Sequence, residues 1–238
     1  MFFFDPMYVL LVLLPGVLLS GAASMMVKHA FNKYSRVASR RGFTGAQAAQ
    51  TLLQRAGIHD VSIVATRGFL SDHYNPTNKQ LALSEAVYAS NSIAAVGVAT
   101  HEAGHAIQHA TGYAPLWLRS ALVPTVGIGS RLGMGMMVVG LLMQGGSGRL
   151  GDALVILGAI LFSAVLLFQI VTLPVEFNAS SRAKQLVVEA GIVYPEERQG
   201  IDAVLNAAAL TYVAAAVSTL LTLLYFLIRA GLLGGRRD

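Results

Sequence analysis

The segment His101-Glu102-Ala103-Gly104-His105 combines the residue types that bind zinc and transfer a proton. Side chains four residues apart lie on one face of a helix, so His101 and His105 can offer two imidazole nitrogens to a single metal ion. Glu102 follows on the same turn, where it can take a proton from water activated by zinc. The segment therefore predicts a metal-dependent hydrolase with Glu102 as the general base.

The segment lies within a stretch, residues 92–110, that predicts a helix. Ser92 is a suitable N-cap, Gly112 is a suitable stop, and the residues between them are mainly small and apolar. A helix of this composition is expected to be buried on most sides, where an ionisable group is costly unless it has a partner. Two histidines and a glutamate at such positions indicate a metal site.

The composition is typical of a membrane protein. Hydrophobic residues make up 55% of the 238 residues and charged residues only 12%, against roughly 25% charged in an ordinary soluble domain. The net charge of +5 is too small to indicate a nucleic-acid partner. Because the chain has no cysteine, a metal site must use histidine and carboxylate ligands.

Four apolar stretches are each long enough to cross a hydrocarbon core about 30 Å thick. They are residues 7–27, 121–143, 153–173 and 207–228. The second contains Arg131, and an arginine at mid-membrane costs roughly 2.5–3.5 kcal/mol on insertion scales, so a re-entrant hairpin is the alternative to a full span. A glycine-rich turn at residues 144–152 is expected to join the second and third stretches into a helical hairpin.

The charges that flank the first apolar stretch predict its orientation. Asp5 is the only charge before it, whereas several basic residues follow closely: Lys28, Lys33, Arg36, Arg40 and Arg41. Positive charge next to a span stays in the cytoplasm, so we expect the metal site at the cytoplasmic face of the cell membrane. Arg229, Arg236 and Arg237 oppose this orientation, because four spans carry them outside. The stretch lacks a signal-peptide cleavage pattern and is expected to stay in the mature protein.

The segment before the active-site helix has the pattern of a small α+β unit. Periodicity and turn residues predict a helix at 44–56, strands at 61–65 and 80–83, a loop at 68–78 and a short helix at 84–89. Two short strands ahead of an H-E-x-x-H helix give the order of a zincin. One edge strand is then expected to pair with an extended peptide substrate.

A catalytic zinc takes three protein ligands and keeps a fourth position open for water. His109 is not the third, because eight residues from His101 correspond to roughly 12 Å along a helix axis; it is expected to support a ligand or to pack. The metzincin pattern is also excluded, since Gln108 and Thr111 replace its glycine and histidine. A carboxylate must therefore complete the set.

Glu176 is the strongest candidate for that carboxylate. It follows the third apolar stretch, in a helix predicted to begin at Pro174 and end near Ala190, among few other charges. Two spans separate it from His105, and an even number brings both residues to the same face of the membrane. Asp202, on the approach to the last span, is a weaker candidate.

Several other polar residues are candidates for supporting or catalytic roles. Ser180 lies one helical turn after Glu176 and is a hydrogen-bond partner for a ligand histidine. Arg182 is expected either to anchor its helix or to polarise the substrate carbonyl. His73 is a candidate donor to the oxyanion of the tetrahedral intermediate. Further candidates to support the ligands are Asn91 and Asn178.

Three segments resemble the YugP-type neutral zinc metallopeptidases of bacteria. They are residues 90–109, Ser71-Asp72-His73-Tyr74-Asn75-Pro76 and Pro174-Val175-Glu176-Phe177-Asn178-Ala179-Ser180. The resemblance covers most of the chain and implies a membrane-bound zinc peptidase with His101, His105 and Glu176 as ligands and Glu102 as base.

The layout is also similar to that of the HtpX-type and CAAX-prenyl-type membrane proteases, in which a helix carrying E-[FY]-x-A-D supplies the third ligand. Here Glu176-Phe177-Asn178-Ala179 matches that pattern, and Ser180 replaces the aspartate. This departure concerns the orientation of a ligand histidine and leaves the three ligands unchanged.

Together these features predict a mainly α protein with multi-pass membrane helices and a small α+β zincin-like (gluzincin) catalytic unit. The predicted segments are a first transmembrane helix (1–27), a catalytic segment (28–120), a transmembrane hairpin (121–173), a third-ligand helix with a connector (174–206), and a last transmembrane helix with a tail (207–238). The expected function is that of an endopeptidase with one Zn²⁺ ion, acting on peptides or membrane proteins in membrane-protein turnover. The alternative is a non-catalytic membrane scaffold that binds zinc and does not need Glu102. The sequence does not predict the oligomeric state.

Overall fold

The computed structural model describes residues 5–143 and 148–233, and most of them are helical. They form two compact units: the described residues within 1–22, 118–173 and 211–238, and residues 23–117 together with 174–210. The prediction of a mainly α protein is confirmed, because the sheet found in the described part of the chain has only three short strands.

Seven helices and three strands account for the regular structure of the described residues. In chain order the helices are α1 (Pro6–Tyr34), α2 (Gly45–Arg55), α3 (Glu85–Tyr88), α4 (Ile93–Ala110), α5 (Ala114–Met143), α6 (Gly148–Glu189) and α7 (Arg198–Arg229). The strands are β1 (Ser62–Thr66), β2 (His73–Asn75) and β3 (Gln80–Ser84). Short π-helical turns interrupt α1 at Val9–Leu13 and α5 at Gly129–Gly133, and a 3₁₀ turn, Pro195–Glu197, leads into α7.

The first unit is built from apolar portions of α1, α5, α6 and α7, which among the described residues are the four helices long and apolar enough to cross a membrane. Inside it, Tyr8, Met137 and Phe226 belong to one buried cluster. Gly133 and Gly158 allow α5 and α6 to approach closely, because a Cβ added at Gly133 would lie 2.8 Å from the Gly158 carbonyl oxygen. The outer surface of this unit also carries apolar side chains: Leu18, Leu142, Ile160 and Ile228 are among those exposed.

The second unit contains the end of α1, from residue 23, and then α2, which lies where the sequence predicts a helix at 44–56. The Thr44 side chain accepts a hydrogen bond from the Gln47 amide, and the Gln47 side chain accepts one from the Thr44 amide, which is the reciprocal capping arrangement. Gly57, at φ +72°, ends the helix. Leu52 and Leu53 are buried in the core of the unit.

The sheet has the strand order β1-β3-β2, with β3 in the middle. β1 runs parallel to β3, while β2 runs antiparallel to it with His73 opposite Ala82. The two predicted strands are present with shifted bounds. The prediction of an unbroken loop at 68–78 is wrong, because residues 73–75 pair with β3. A strand of three residues is too short to give a periodic signal of its own.

Helix α6 corrects a second prediction. A new helix was expected to begin at Pro174, yet one helix continues through this residue from Gly148 to Glu189. The proline removes only one amide donor, while burial continues beyond it at Ala179, Ala183 and Val187, all fully buried. The helix also starts within the turn predicted at 144–152, and residues 144–147 of that turn lie outside the described part of the chain.

Candidate metal centre

Helix α4 carries His101 and His105 one turn apart, and α6 brings Glu176 to them. The ligand atoms of the three side chains all lie within 4.8 Å of one another. The Glu176 Oε2 atom is 3.2 Å from His101 Nε2 and 3.6 Å from His105 Nε2. Only 3% of the Glu176 side chain is exposed, against 13% for His101 and 9% for His105. The three side chains thus converge on one largely buried point.

The local sequence explains how α4 is held at this point. The Ser92 side chain caps its first turn by accepting a hydrogen bond from the Ala95 amide at 3.2 Å. Gly112, at φ +62°, follows its end, as predicted. Most residues between them are buried, so α4 is surrounded by protein along most of its length.

Gly104 sets the distance between α4 and α6. A Cβ added at this position would lie 2.8 Å from the Ala179 carbonyl oxygen, closer than a Cβ carbon can approach a backbone oxygen. Gly104, the fourth residue of the H-E-x-x-H segment, therefore allows the two helices into direct contact. The side chains around this contact belong to two flanks of α6, one with Glu176 and Ser180, the other with Val175 and Asn178.

The flank of α6 that carries Glu176 holds His101. Ser180 Oγ lies 3.1 Å from His101 Nδ1, so the contact predicted between Ser180 and a ligand histidine is present. The other ring nitrogen, Nε2, is the one that points to Glu176. A hydroxyl both donates and accepts, so this contact is compatible with either tautomer of the ring.

The opposite flank holds His105 through Gln108, a fully buried residue. Gln108 Oε1 is 3.0 Å from His105 Nδ1. The Gln108 amide nitrogen donates to the Val175 carbonyl oxygen at 2.8 Å and to Asn178 Oδ1 at 3.0 Å. Arg182 Nε donates to the same Asn178 oxygen at 2.8 Å. The expectation that Asn178 supports the site agrees with this network.

Gln108 was missed by the sequence reasoning, which used it only to exclude the metzincin pattern. A signal was present: a polar residue inside an apolar helix, one turn beyond His105, needs a partner when buried. Its partners Val175 and Asn178 lie far along the chain, so spacing alone does not identify them.

Glu102 is buried, with 9% of its surface exposed, beside the two ligand candidates on α4. Burial lowers the pKa of His105, but the nearby carboxylate of Glu176, the negative charge of Glu102 and the contact with Gln108 outweigh it, so the pKa lies above its usual value. Negative charge therefore surrounds this imidazole, as suits a group that binds a cation.

The remaining candidates occupy other surroundings. His73 is exposed on β2, and its Nδ1 donates to the Ser71 carbonyl oxygen at 2.9 Å. His109 packs against β2, where its Nδ1 lies 2.8 Å from the Tyr74 hydroxyl oxygen. The Asn91 carbonyl oxygen accepts a backbone hydrogen bond from the Ser39 amide.

Asp202, the weaker candidate for the third ligand, forms ion pairs instead. Its Oδ1 atom is 3.6 Å from Arg198 Nε and 4.0 Å from Lys184 Nζ. Within the described part of the chain, His101, His105 and Glu176 are the side chains placed closely enough to share one metal ion. Two imidazoles and a carboxylate are the donors of a catalytic His₂Glu zinc site, so the residues present fit this ion.

Comparison with known proteins agrees with the chemistry of these donors. Residues 9–231 match the sequence model of the family described as "Putative neutral zinc metallopeptidase". The chain is 48% identical over 208 residues to "Putative membrane protease YugP" of Bacillus subtilis (strain 168), which covers 87% of this chain and 90% of the relative. No solved structure matches. The family match spans nearly the whole chain, and the chain belongs to this family of neutral zinc metallopeptidases.

Proposed function

We propose that this protein is a membrane-embedded zinc endopeptidase of the gluzincin type. The observation that carries the proposal is the convergence of His101, His105 and Glu176 within 4.8 Å, with the buried Glu102 beside them. These three side chains would hold one Zn²⁺ ion and leave its fourth position to water.

In peptide hydrolysis, the proposed ligands and Glu102 would have different roles. Bound zinc would polarise the peptide carbonyl and make water more acidic. Glu102 accepts the proton of the attacking water and then delivers it to the nitrogen of the leaving amine. His101, His105 and Glu176 would hold the ion, and Glu102 would carry the proton from the water to the leaving amine.

His73 and Arg182 remain our candidates for stabilising the oxyanion. Arg182 is supported by its geometry, since the hydrogen bond from Nε to Asn178 leaves its two terminal nitrogens without a protein partner among the described residues. His73 is supported by its exposure on β2, where a bound peptide has access to it.

An extended peptide segment is the substrate that the sheet favours. β2 is an edge strand, and Tyr74 on β2 contacts His109 on the helix that carries the histidine ligands. We propose that the substrate pairs with this edge through backbone hydrogen bonds. Because the chain is apolar, its substrates are expected to include membrane proteins, and its role is expected to be their turnover.

The four long apolar helices support a multi-pass arrangement in the cell membrane, with the metal site on the cytoplasmic side. The basic residues after the first span favour this orientation. Arg229 opposed it in the sequence, but its Nη2 atom lies 3.3 Å from Asp5 Oδ2, and Tyr225 donates a hydrogen bond to the same carboxylate at 2.7 Å. Asp5 therefore offsets part of the positive charge at that end of α7.

The absence of cysteine allows a direct test of this orientation. Thr77 lies in an exposed turn of the unit with the metal site, and Leu232 is exposed beyond the end of α7. A membrane-impermeant thiol reagent should label Leu232→Cys in intact cells and Thr77→Cys only after permeabilisation. The reverse pattern would contradict the cytoplasmic site, and labelling of both in intact cells would contradict an arrangement in which all four helices cross the membrane.

The catalytic role is tested by comparing the membrane proteome of cells that carry the intact protein with that of cells carrying Glu102→Gln. Substrates should accumulate in the variant, because it keeps the metal ligands and lacks the base. If the variant supports every cellular effect of the intact protein and no membrane protein accumulates, the protein is a zinc-binding scaffold instead.

A further inference from the structure

We infer that Gln108 is a positioning residue that fixes which nitrogen of His105 carries the proton, through a chain of hydrogen bonds that begins at Arg182. The inference rests on the proposed zinc site, since it concerns the presentation of one of the ligands. It adds to that site three residues that do not touch the ion.

Arg182 determines the donor-to-acceptor direction of this series of hydrogen bonds. A guanidinium group donates hydrogen bonds and cannot accept them. The atom of Asn178 that faces Arg182 Nε at 2.8 Å is therefore the carbonyl oxygen Oδ1. That oxygen is also the atom of Asn178 that faces Gln108.

The same direction determines which way the side-chain amide of Gln108 faces. One end of its amide faces two acceptors, Asn178 Oδ1 at 3.0 Å and the Val175 carbonyl oxygen at 2.8 Å. Only the NH₂ group of this amide can donate to both, so the carbonyl oxygen Oε1 must face His105 Nδ1, 3.0 Å away. An acceptor at that position requires the proton to be on Nδ1. The neutral ring then presents the lone pair of Nε2, the nitrogen that lies 3.6 Å from Glu176 Oε2.

Burial makes this choice effective. Gln108 is fully buried, so water cannot replace a hydrogen bond that is lost when the amide rotates. A flipped Gln108 amide would place its NH₂ group against the Nδ1–H group of His105 and its oxygen against the two acceptors, Val175 and Asn178. Each buried polar group left without a matching partner costs roughly 1–3 kcal/mol. The fixed amide therefore holds both the tautomer and the ring plane of His105.

The test uses the full chain purified in detergent and measures zinc affinity by competition with a chelator. Gln108→Met keeps the length of the side chain and removes both polar ends, so zinc affinity should fall by about 10–100-fold. Asn178→Ala leaves His105 untouched and releases only the amine end of Gln108, so the fall should be smaller. The matched control is Thr100→Val, because Thr100 is fully buried on the same helix and its hydroxyl donates only within α4.

The double variant, with both Gln108→Met and Asn178→Ala, distinguishes a positioning role of Gln108 from a general structural effect. If Asn178 acts through Gln108, the double variant should bind zinc as Gln108→Met does, within about twofold. The visible spectrum of the cobalt-substituted protein should shift in Gln108→Met and stay unchanged in Thr100→Val. Independent losses that multiply in the double variant would overturn the inference, as would unchanged affinity in Gln108→Met. If the unaltered protein binds no zinc, the proposed function fails, which is a different result from either.

Discussion

The two histidines of the centre are held in different ways, although they lie one turn apart on α4. His105 contacts a fully buried amide whose other end is fixed by Val175 and Asn178. His101 contacts a single hydroxyl, that of Ser180, which can rotate and reverse its donor and acceptor roles. We therefore expect α6 to hold the His105 ring in one orientation and to leave the His101 ring adjustable.

This asymmetry also separates two kinds of contact between the helices. The flank of α6 with Glu176 and Ser180 supplies an ionic group and a hydroxyl close to the proposed metal position. The flank with Val175 and Asn178 supplies hydrogen bonds that stay away from it. We therefore expect different effects from three kinds of replacement. They act on the catalytic base, on the contact between α4 and α6, or on one flank of α6.

The largest effect is expected from Glu102→Gln, which affects neither flank. Loss of the general base should lower the rate of peptide hydrolysis by about 10²–10⁴-fold, while zinc affinity stays close to that of the unaltered protein. Turnover of a fluorogenic peptide and the zinc content measure the two quantities. Glu85→Gln, an exposed glutamate on α3, is the control and should leave both unchanged. Near-normal turnover in Glu102→Gln would remove Glu102 from the mechanism.

Gly104→Ala should weaken both flanks at once. The added methyl group would lie 2.8 Å from the Ala179 carbonyl oxygen, so α4 and α6 must separate, at a cost of roughly 1–3 kcal/mol in the free energy of unfolding. Zinc affinity should fall as well, because both histidines move relative to Glu176. Thermal unfolding in detergent measures the first effect and chelator competition the second.

The control for that variant is Gly135→Ala, since a Cβ at Gly135 meets nothing within 4 Å. It should be at least as stable as the unaltered protein, because alanine favours a helix more than glycine does. Equal stability of Gly104→Ala and Gly135→Ala would mean that the close contact does not hold the site together.

The smallest effect on zinc affinity is expected from replacing Ser180, the residue that contacts His101. Ser180→Ala removes one exchangeable hydrogen bond to His101, so zinc affinity should fall by less than in Gln108→Met and by no more than about tenfold. Ser180→Asp should raise the affinity instead, because a carboxylate accepts only and would fix the proton of His101 on Nδ1. A larger loss in Ser180→Ala than in Gln108→Met would reverse the comparison.

The parts of the site that the sequence predicted depend on local patterns. Helical spacing places His101 and His105 on one face, and Ser92 and Gly112 mark the ends of their helix. The choice of Glu176 as the carboxylate also used the elimination of the other acids and the even number of spans that separate it from His105, and its role as a ligand stays a prediction. Ser180 followed from its spacing of one turn from Glu176.

The parts that the sequence did not predict depend on tertiary contacts. Strand β2 exists because β3 is beside it, and its three residues carry no pattern of their own. Proline normally starts or ends a helix, but the buried face of α6 continues past Pro174. The role of Gln108 depends on Val175 and Asn178, which only the packing of α6 against α4 brings within reach. The orientation in the membrane and the division of the chain into five segments stay predictions.

The central claim is that a glutamate from α6 completes a zinc site begun by two histidines on α4. It is tested most directly by the zinc content and zinc affinity of the purified protein beside its Glu176→Ala variant, with Glu189→Ala, an exposed glutamate on the same helix, as control. We predict one zinc ion per chain in the unaltered protein and in Glu189→Ala, and loss of the ion on dialysis in Glu176→Ala. Zinc retained by Glu176→Ala with unchanged affinity would contradict the account.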